Sequence, residues 1–312
     1  MEKKKLYGET LKEQLLASTR DRLHNFVMAE GRIRGVVLNG TRMVNEMRWN
    51  HELGVLETLV LGHAYLAAAL MSANLKGNDR LSIEVECSGP IKGLSVESNA
   101  FGEVRGYLKQ VPIPIEKPLE DFNLSPFFGA GFLSVIKYLE GAKHPFTGKV
   151  MMEYGTLAKD LALYHLTSEQ IPTSFSLSIA FDREGEVTGA GGLFLQALPG
   201  AGDDVLQKIE QAVNNLPSIG HEVHEEAFPA EWLERNFKAM APKYLDSRGI
   251  EFLCHCKRNQ IRNMIAMLEL RDVQDLAENG PFPVQIRCHN CNTSYDFDQA
   301  ELEAIYTERS TN

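Results

Sequence analysis

An excess of basic residues is missing from this sequence. Lysine and arginine total 32 against 42 aspartates and glutamates, a net charge of −10, which argues against phosphate tracking as the main activity while leaving room for a local basic patch. No bilayer-spanning run is expected either. The longest apolar stretch, Leu53 to Leu75, is broken by Glu57, Gly62 and His63, whereas a span needs roughly 18 or more apolar residues with few or no charges. It reads as a buried central helix, and no membrane partner is expected. The opening residues, Met1 to Thr10, are charged and polar where a secretory signal carries its apolar core, so the expected setting is a reducing cytoplasm. Repeats and low-complexity tracts are absent, and cysteine is scarce, with five in 312 residues.

Four of those cysteines nevertheless cluster near the C-terminus in two tight pairs, Cys254-His255-Cys256 and Cys288-His289-Asn290-Cys291. Zinc favours a tetrahedral cage of thiolates, and two short pairs joined by a folded intervening stretch can supply one. Two local disulfides or four unrelated buried thiols are the alternatives, and a reducing compartment favours metal or redox chemistry over permanent crosslinks. The fifth, Cys87, falls on the inward side of an expected strand and reads as a small buried hydrophobe.

With 44% hydrophobic residues, the chain can bury at least one large core and form two or more units. Period-two alternation predicts strands at Arg32–Leu38, Leu81–Cys87, Ile91–Val96, Val104–Leu108, Leu133–Tyr138, Gly148–Tyr154, Phe175–Phe181 and Leu193–Leu195. Gly89-Pro90 turns the second of these into the third. Helices are predicted at Leu53–Leu75 and Thr156–Leu166. The expected class is α+β: a large sheet-based N-terminal domain with a long covering helix over residues 1–198, a helical linker over 199–249, and a small C-terminal zinc-binding module over 250–312. Turn formers at Leu198 to Gly202 mark the first boundary and Ser247-Arg248-Gly249 the second. In the linker, Val205, Leu206, Ile209, Ala212, Val213 and Leu216 recur at helical spacing, and Trp232, Leu233, Phe237 and Met240 mark a second helix. These stripes are expected to dock on the sheet domain.

A module shorter than about 70 to 80 residues rarely has core enough to stand alone, and a metal would act as its staple. Within it, Ile261, Met264, Ile265 and Leu268 predict one helical face, and Val284–Arg287 and Tyr295–Phe297 predict short strands. Lys257, Arg258, Arg262 and Arg287 are expected to offset the negative charge of four thiolates. A closed four-sulfur site has no open position for water, which excludes Lewis-acid hydrolysis and argues against an enzyme. Such a site is either a purely structural staple or one that oxidants open by converting thiolates to sulfenic acid and disulfides. If it opens, the module should melt and the linker helices could lose their docking surface.

His255 and His289 are expected to point away from the metal. His221-Glu222-Val223-His224 lacks the i, i+4 spacing of a zinc protease, and Gly189-Ala190-Gly191-Gly192 reads as a turn or bulge because no helix opens after it.

Cys254-x-Cys256 and Cys288-x-x-Cys291 with Tyr295 and Phe297 after them, Ser168-Glu169-Gln170-Ile171-Pro172-Thr173, Gly89-Pro90 and Thr147-Gly148-Lys149-Val150 together resemble the redox-regulated thirty-three-kilodalton heat-shock chaperone family, from about residue 20 to 300. The resemblance implies an ATP-independent holdase and not an enzyme. It implies that Cys254, Cys256, Cys288 and Cys291 bind Zn2+ in the reduced, inactive form. It further implies that oxidation joins Cys254 to Cys256 and Cys288 to Cys291, releases zinc, unfolds the linker and yields a homodimer that binds unfolding client proteins. Asn290 departs from the pattern, since many members place an aromatic residue there. Two other classes use paired cysteines. A zinc-ribbon nucleic-acid binder should interleave aromatic and basic residues on a face, which the overall acidity disfavours, so no nucleic-acid partner is expected. A thiol oxidoreductase should open a helix at Cys288-His289-Asn290-Cys291, whereas strand-like residues flank it here.

Overall fold

Alternating apolar strands on both sides of a largely apolar helix dictate the architecture: each sheet buries one face on the helix. The computed structural model describes residues 1, 3, 21–115, 123–223 and 228–311. One sheet has five antiparallel strands, in the spatial order Lys243–Gly249 (β10), Arg22–Met28 (β1), Ile33–Asn39 (β2), Val187–Ala197 (β9) and Thr173–Phe181 (β8). The other has six, in the order Glu251–Phe252 (β11), Glu103–Leu108 (β5), Gly93–Asn99 (β4), Arg80–Cys87 (β3), Gly131–Tyr138 (β6) and Phe146–Met151 (β7). Its β11–β5 pair is parallel.

Helix Thr41–His51 (α1) leads into Val55–Ser72 (α2), which packs on β3, β4 and β5 on one side and on β2, β8 and β9 on the other. The expectation of a covering helix is thus met by a helix sandwiched between two sheets. A helix apolar all round must be buried all round. Although α2 is long and apolar enough to cross a membrane, 89% of that stretch is buried inside the fold. Short helix Ser125–Phe128 (α3) closes the β3–β4 turn, with Gly89 N donating to Phe128 O at 2.8 Å, and Leu157–Ser168 (α4) packs on β7 and β8.

The glycine run Gly189–Gly192 is neither a turn nor a phosphate loop but part of β9, and it begins at the irregularity where Ala180 pairs with Gly189 and Phe181 with Val187, so the bulge reading holds at its first residue. A Cβ on Gly191 would come within 2.6 Å of Ile219 Cγ2, and one on Gly192 within 2.9 Å of Leu70 Cδ1. Glycine is needed there because elements press on both faces of the strand.

The linker stripes do find the sheet. Asp203–Asn214 (α5), Ile219–Glu222 (α6) and Ala230–Phe237 (α7) lay Val205, Ile209, Ile219, Trp232 and Phe237 against Phe26, Val37, Leu193 and Leu195 on the outer face of the five-stranded sheet. Ser247-Arg248-Gly249, expected as a break, instead ends β10, which pairs with β1 from Arg22↔Gly249 onward. Strand β10 is charged and mostly exposed, so period two is invisible in it.

Past the first cysteine pair, Arg258–Ala266 (α8), Leu270–Asn279 (α9), the hairpin Val284–Arg287 (β12) and Ser294–Phe297 (β13), and Gln299–Ser310 (α10) enclose a small core of Ile261, Ile265, Val273, Val284, Phe297, Leu302 and Ile305. Of the expected helical face, Met264 lies outward within α8, 63% exposed, while Leu268, 42% exposed, falls beyond the end of that helix at Ala266. Asp298 and Glu301 form a reciprocal capping box on α10, at 2.9 and 3.1 Å.

His165 of α4 makes the fold acid-sensitive. It is 2% exposed, lies among Tyr164, Phe175 and Phe194, and neither ring nitrogen has a hydrogen-bond partner among the described residues. Glu169 Oε2 lies 3.8 Å from Nδ1, with Lys137 and Arg34 also facing the ring. Burial pushes His165 down to about 4. The unfolded chain therefore binds more protons between pH 6.5 and 4, so the contribution is complete above about pH 6.5 and lost on descending to about 4, worth about 3 kcal/mol. Urea titrations should show His165→Leu losing less stability than the parent across that window; equal losses would remove His165 as the cause.

Candidate metal centre

Each cysteine pair is set by a different local structure. Cys254 and Cys256 follow β11, where Leu253 N donates to Val104 O at 3.1 Å and carries the pairing with β5 up to the first cysteine. Cys288 and Cys291 occupy the turn between β12 and β13. There Cys291 N and Asn292 N both donate to Cys288 O, at 3.3 and 2.7 Å, and Cys288 N donates to Thr293 O at 3.0 Å. Carbonyl O of the first cysteine thus folds the second back towards it.

The four Sγ atoms lie within 4.8 Å of one another, with Cys254–Cys288 at 3.8 Å and Cys256–Cys291 at 3.3 Å. No disulfide joins them. A tetrahedral zinc site with Zn–S near 2.3 Å has sulfur–sulfur edges of about 3.8 Å, so this donor set fits a soft divalent ion. Cys254 and Cys291 are buried in the main core, and Cys256 and Cys288 are half-buried.

The electrostatics point the same way. Hydrogen bonds with the Cys288 and Cys291 thiols hold Cys254 far below the usual thiol range. The same bonds to Cys254 push Cys288 up to about 11 and Cys291 higher still. One thiolate is stabilised at its neighbours' expense, and four at such distances require a cation among them. Thr293 Oγ1 lies 3.2 Å from Cys291 Sγ, and Tyr295 Oη lies 3.1 Å from Cys256 Sγ and donates to Cys256 O at 3.0 Å. Burial, then the bond to Cys256, raises Tyr295.

The expected basic offset is placed differently. Arg258 pairs with Glu301 at 2.8 Å and stacks on Phe297, Arg262 pairs with Glu308 at 2.7 Å, and Arg287 bonds Gln285 at 3.3 Å. Lys257 begins α8, its N–H donating to Gln260 Oε1 at 3.0 Å. The guanidinium that reaches sulfur is Arg105 of β5, with Nη1 at 3.9 Å from Cys254 Sγ and Nη2 at 3.1 Å from Glu97. Nothing local to the cysteines in sequence signals it, because a two-residue parallel strand makes the connection.

His255 Nε2 lies 2.7 Å from Glu103 Oε2, and His289 packs edge-on against Tyr107. Both imidazoles thus have partners in the core sheet. His221 and Glu222 are in α6, while His224 lies outside the described residues. Cys87 is half-buried at the end of β3, where burial raises its thiol. The Cys288–Cys291 pair sits on a hairpin turn and opens no helix, unlike an oxidoreductase motif.

Fold and site define an α+β protein with two large sheets, a small hairpin sheet and a four-cysteine cluster that could hold a metal ion. Comparison with known proteins narrows the class. Residues 21–298 match the family model described as Hsp33 protein. The 33 kDa chaperonin of Desulforamulus reducens is 38% identical, covering 91% of this chain and 97% of its own, and that of Halalkalibacterium halodurans is 33% identical, covering 89% and 96%. The crystal structure of the 33 kDa chaperonin from Thermotoga maritima superposes with a TM-score of 0.85 at 30% identity, covering 94% of this chain and 100% of that one. The chain belongs to the Hsp33 family, whose matched members are named as chaperonins and not as enzymes.

Proposed function

We propose that this protein is a holdase that needs no ATP and is switched on by oxidants, with Cys254, Cys256, Cys288 and Cys291 as both Zn2+ ligands and redox groups. The observation that carries this reading is the convergence of four sulfurs from two separate turns, within 4.8 Å, in a chain whose linker buries its apolar faces on the five-stranded sheet. Zn2+, when bound, supplies the crosslink between the two turns and keeps the thiolates charged.

Oxidation withdraws that crosslink. With hydrogen peroxide, each thiolate pair gives up two electrons and forms an S–S bond, while the O–O bond breaks and the peroxide takes two protons from solvent and leaves as two waters. Cys254–Cys256 and Cys288–Cys291 bridges within each pair leave no thiolate donor between the turns. Residues 250–312, the redox module, then rest on the small core around Phe297 and Leu302. Residues 199–249, the linker, release from the core formed by residues 1–198, and the faces around Trp232 and Phe237 become available to unfolding clients. A homodimer of the oxidised form and a cytoplasmic setting complete the reading.

The test compares reduced, zinc-loaded protein with protein treated with peroxide or hypochlorous acid under mild heat, against a thermally unfolding client enzyme. The treated protein should suppress light scattering, with the loss of about one zinc and all four clustered thiols per chain. Equal suppression before and after treatment rejects the switch.

A further inference from the structure

Asn50 is a buried polar side chain in the last turn of α1, 3% exposed, which the chemistry above leaves unused. Its Nδ2 donates to Cys291 O at 3.1 Å, and Asn292 Nδ2 returns a bond to Asn50 O at 3.0 Å. Both bonds serve groups at a structural end. Asn50 O is among the last four carbonyls of the helix, which leaves its course at Glu52 with φ 57° and so offers no regular i+4 partner. Cys291 O belongs to a residue with no exposed surface, one step before Asn292, whose φ of 54° is a left-handed conformation that asparagine tolerates better than most.

The preceding residue is tied down as well. Gly106 N of β5 donates to Asn290 O at 3.2 Å, and Tyr65 Oη of α2 donates to Gly106 O at 2.9 Å. Asn290, Cys291 and Asn292 are thus each bonded to the core, through α1 and β5.

We propose that Asn50 is a positioning residue that latches the second cysteine pair to the core and so sets how readily the metal centre opens. Its regulatory meaning rests on the oxidant-switch reading above. For the Cys288–Cys291 turn to leave, Cys291 O and Asn50 Nδ2 must part in a buried setting, and unpaired buried polar groups are costly. Opening is therefore resisted from the core side as well as by the sulfurs. When the turn does leave, the last turn of α1 and the edge of β5 lose partners together, which carries the event into both helices and sheet.

The experiment uses the full-length, reduced, zinc-loaded protein, its Asn50→Ala and Asn50→Asp variants, and Asn45→Ala as control. Asn45 lies on the same helix and bonds Thr41 O and Val187 O at 3.1 and 3.2 Å, so its loss loosens α1 without touching the turn. Two rates are read: amide exchange at Gly106, Cys291 and Asn292, and zinc loss to excess chromophoric chelator. Removing the donor should raise both about tenfold in Asn50→Ala, and similarly in the isosteric Asn50→Asp, the scale of one buried hydrogen bond, with Asn45→Ala near the parent. Zinc loss in the Asn50 variants no faster than in Asn45→Ala overturns the latch. Asn292→Ala, which removes the reciprocal bond, supplies the same comparison if an Asn50 variant fails to fold. Neither rate involves an oxidant, so a separate failure of peroxide to release zinc from the parent would sink the switch and leave the latch result standing.

Discussion

Replacing Cys288 with serine should lower zinc affinity by more than the roughly 10- to 100-fold that loss of an outer partner costs a metal site, and should partly unfold the residues after the first cysteine pair. A hydroxyl is a poor substitute for a thiolate towards a soft ion, and three sulfurs leave one vertex of the cage to water. Structural zinc contributes on the order of 10–16 kcal/mol to small folded modules, while the terminal core relies on a few side chains such as Ile265, Val273 and Phe297. Zinc titration with a competing chelator and amide exchange over Val284–Phe297 measure the two effects. A variant that keeps one tightly held zinc and native protection would remove Cys288 from the ligand set.

The second large effect is expected at Trp232. Its side chain has no exposed surface, packs against Phe228 and Phe237, and donates through Nε1 to Glu222. Truncating such a residue costs roughly 3–5 kcal/mol, comparable to the whole stability of a small unit. It belongs to the apolar cluster under the linker, which contains no cysteine. Trp232→Ala should therefore bind a hydrophobic dye and suppress client aggregation while still reduced and with its zinc content unchanged. A reduced variant that stays inactive would mean that linker release is not what exposes the client surface.

The cluster itself was legible in the sequence because chelation demands short spacing, and short spacing survives in one dimension. The strands of the six-stranded sheet were legible for a related reason: Leu81, Ile83 and Val85 alternate because one face meets α2. Strand β1 and helix α1 carry patterns too weak to show in the sequence. The stripes around Val205 and Trp232 signal docking on the sheet domain, since amphipathic helices must cover something. What the sequence hid are the long-range joints. Arg105 meets Cys254 only because β11 runs parallel to β5 for two residues, and Asn50 meets Cys291 only because the end of α1 faces a distant hairpin turn. The glycines of β9 are ambiguous by composition: a strand irregularity begins at Gly189, but close approach at Gly191 and Gly192 uses the same residue as a turn.

The stretch from Lys243 to Phe252 places β10 on the rim of one sheet and, after a single intervening residue, β11 on the rim of the other. These late residues hem both sheets. A chain ending near Leu198 would keep both sheets and the central helix but leave the flanks of β1 and β5 unhemmed, with rows of backbone donors and acceptors open to any extended polypeptide. The passage that forms this border runs directly into Cys254, so a change at the first cysteine pair bears on the rims of both sheets.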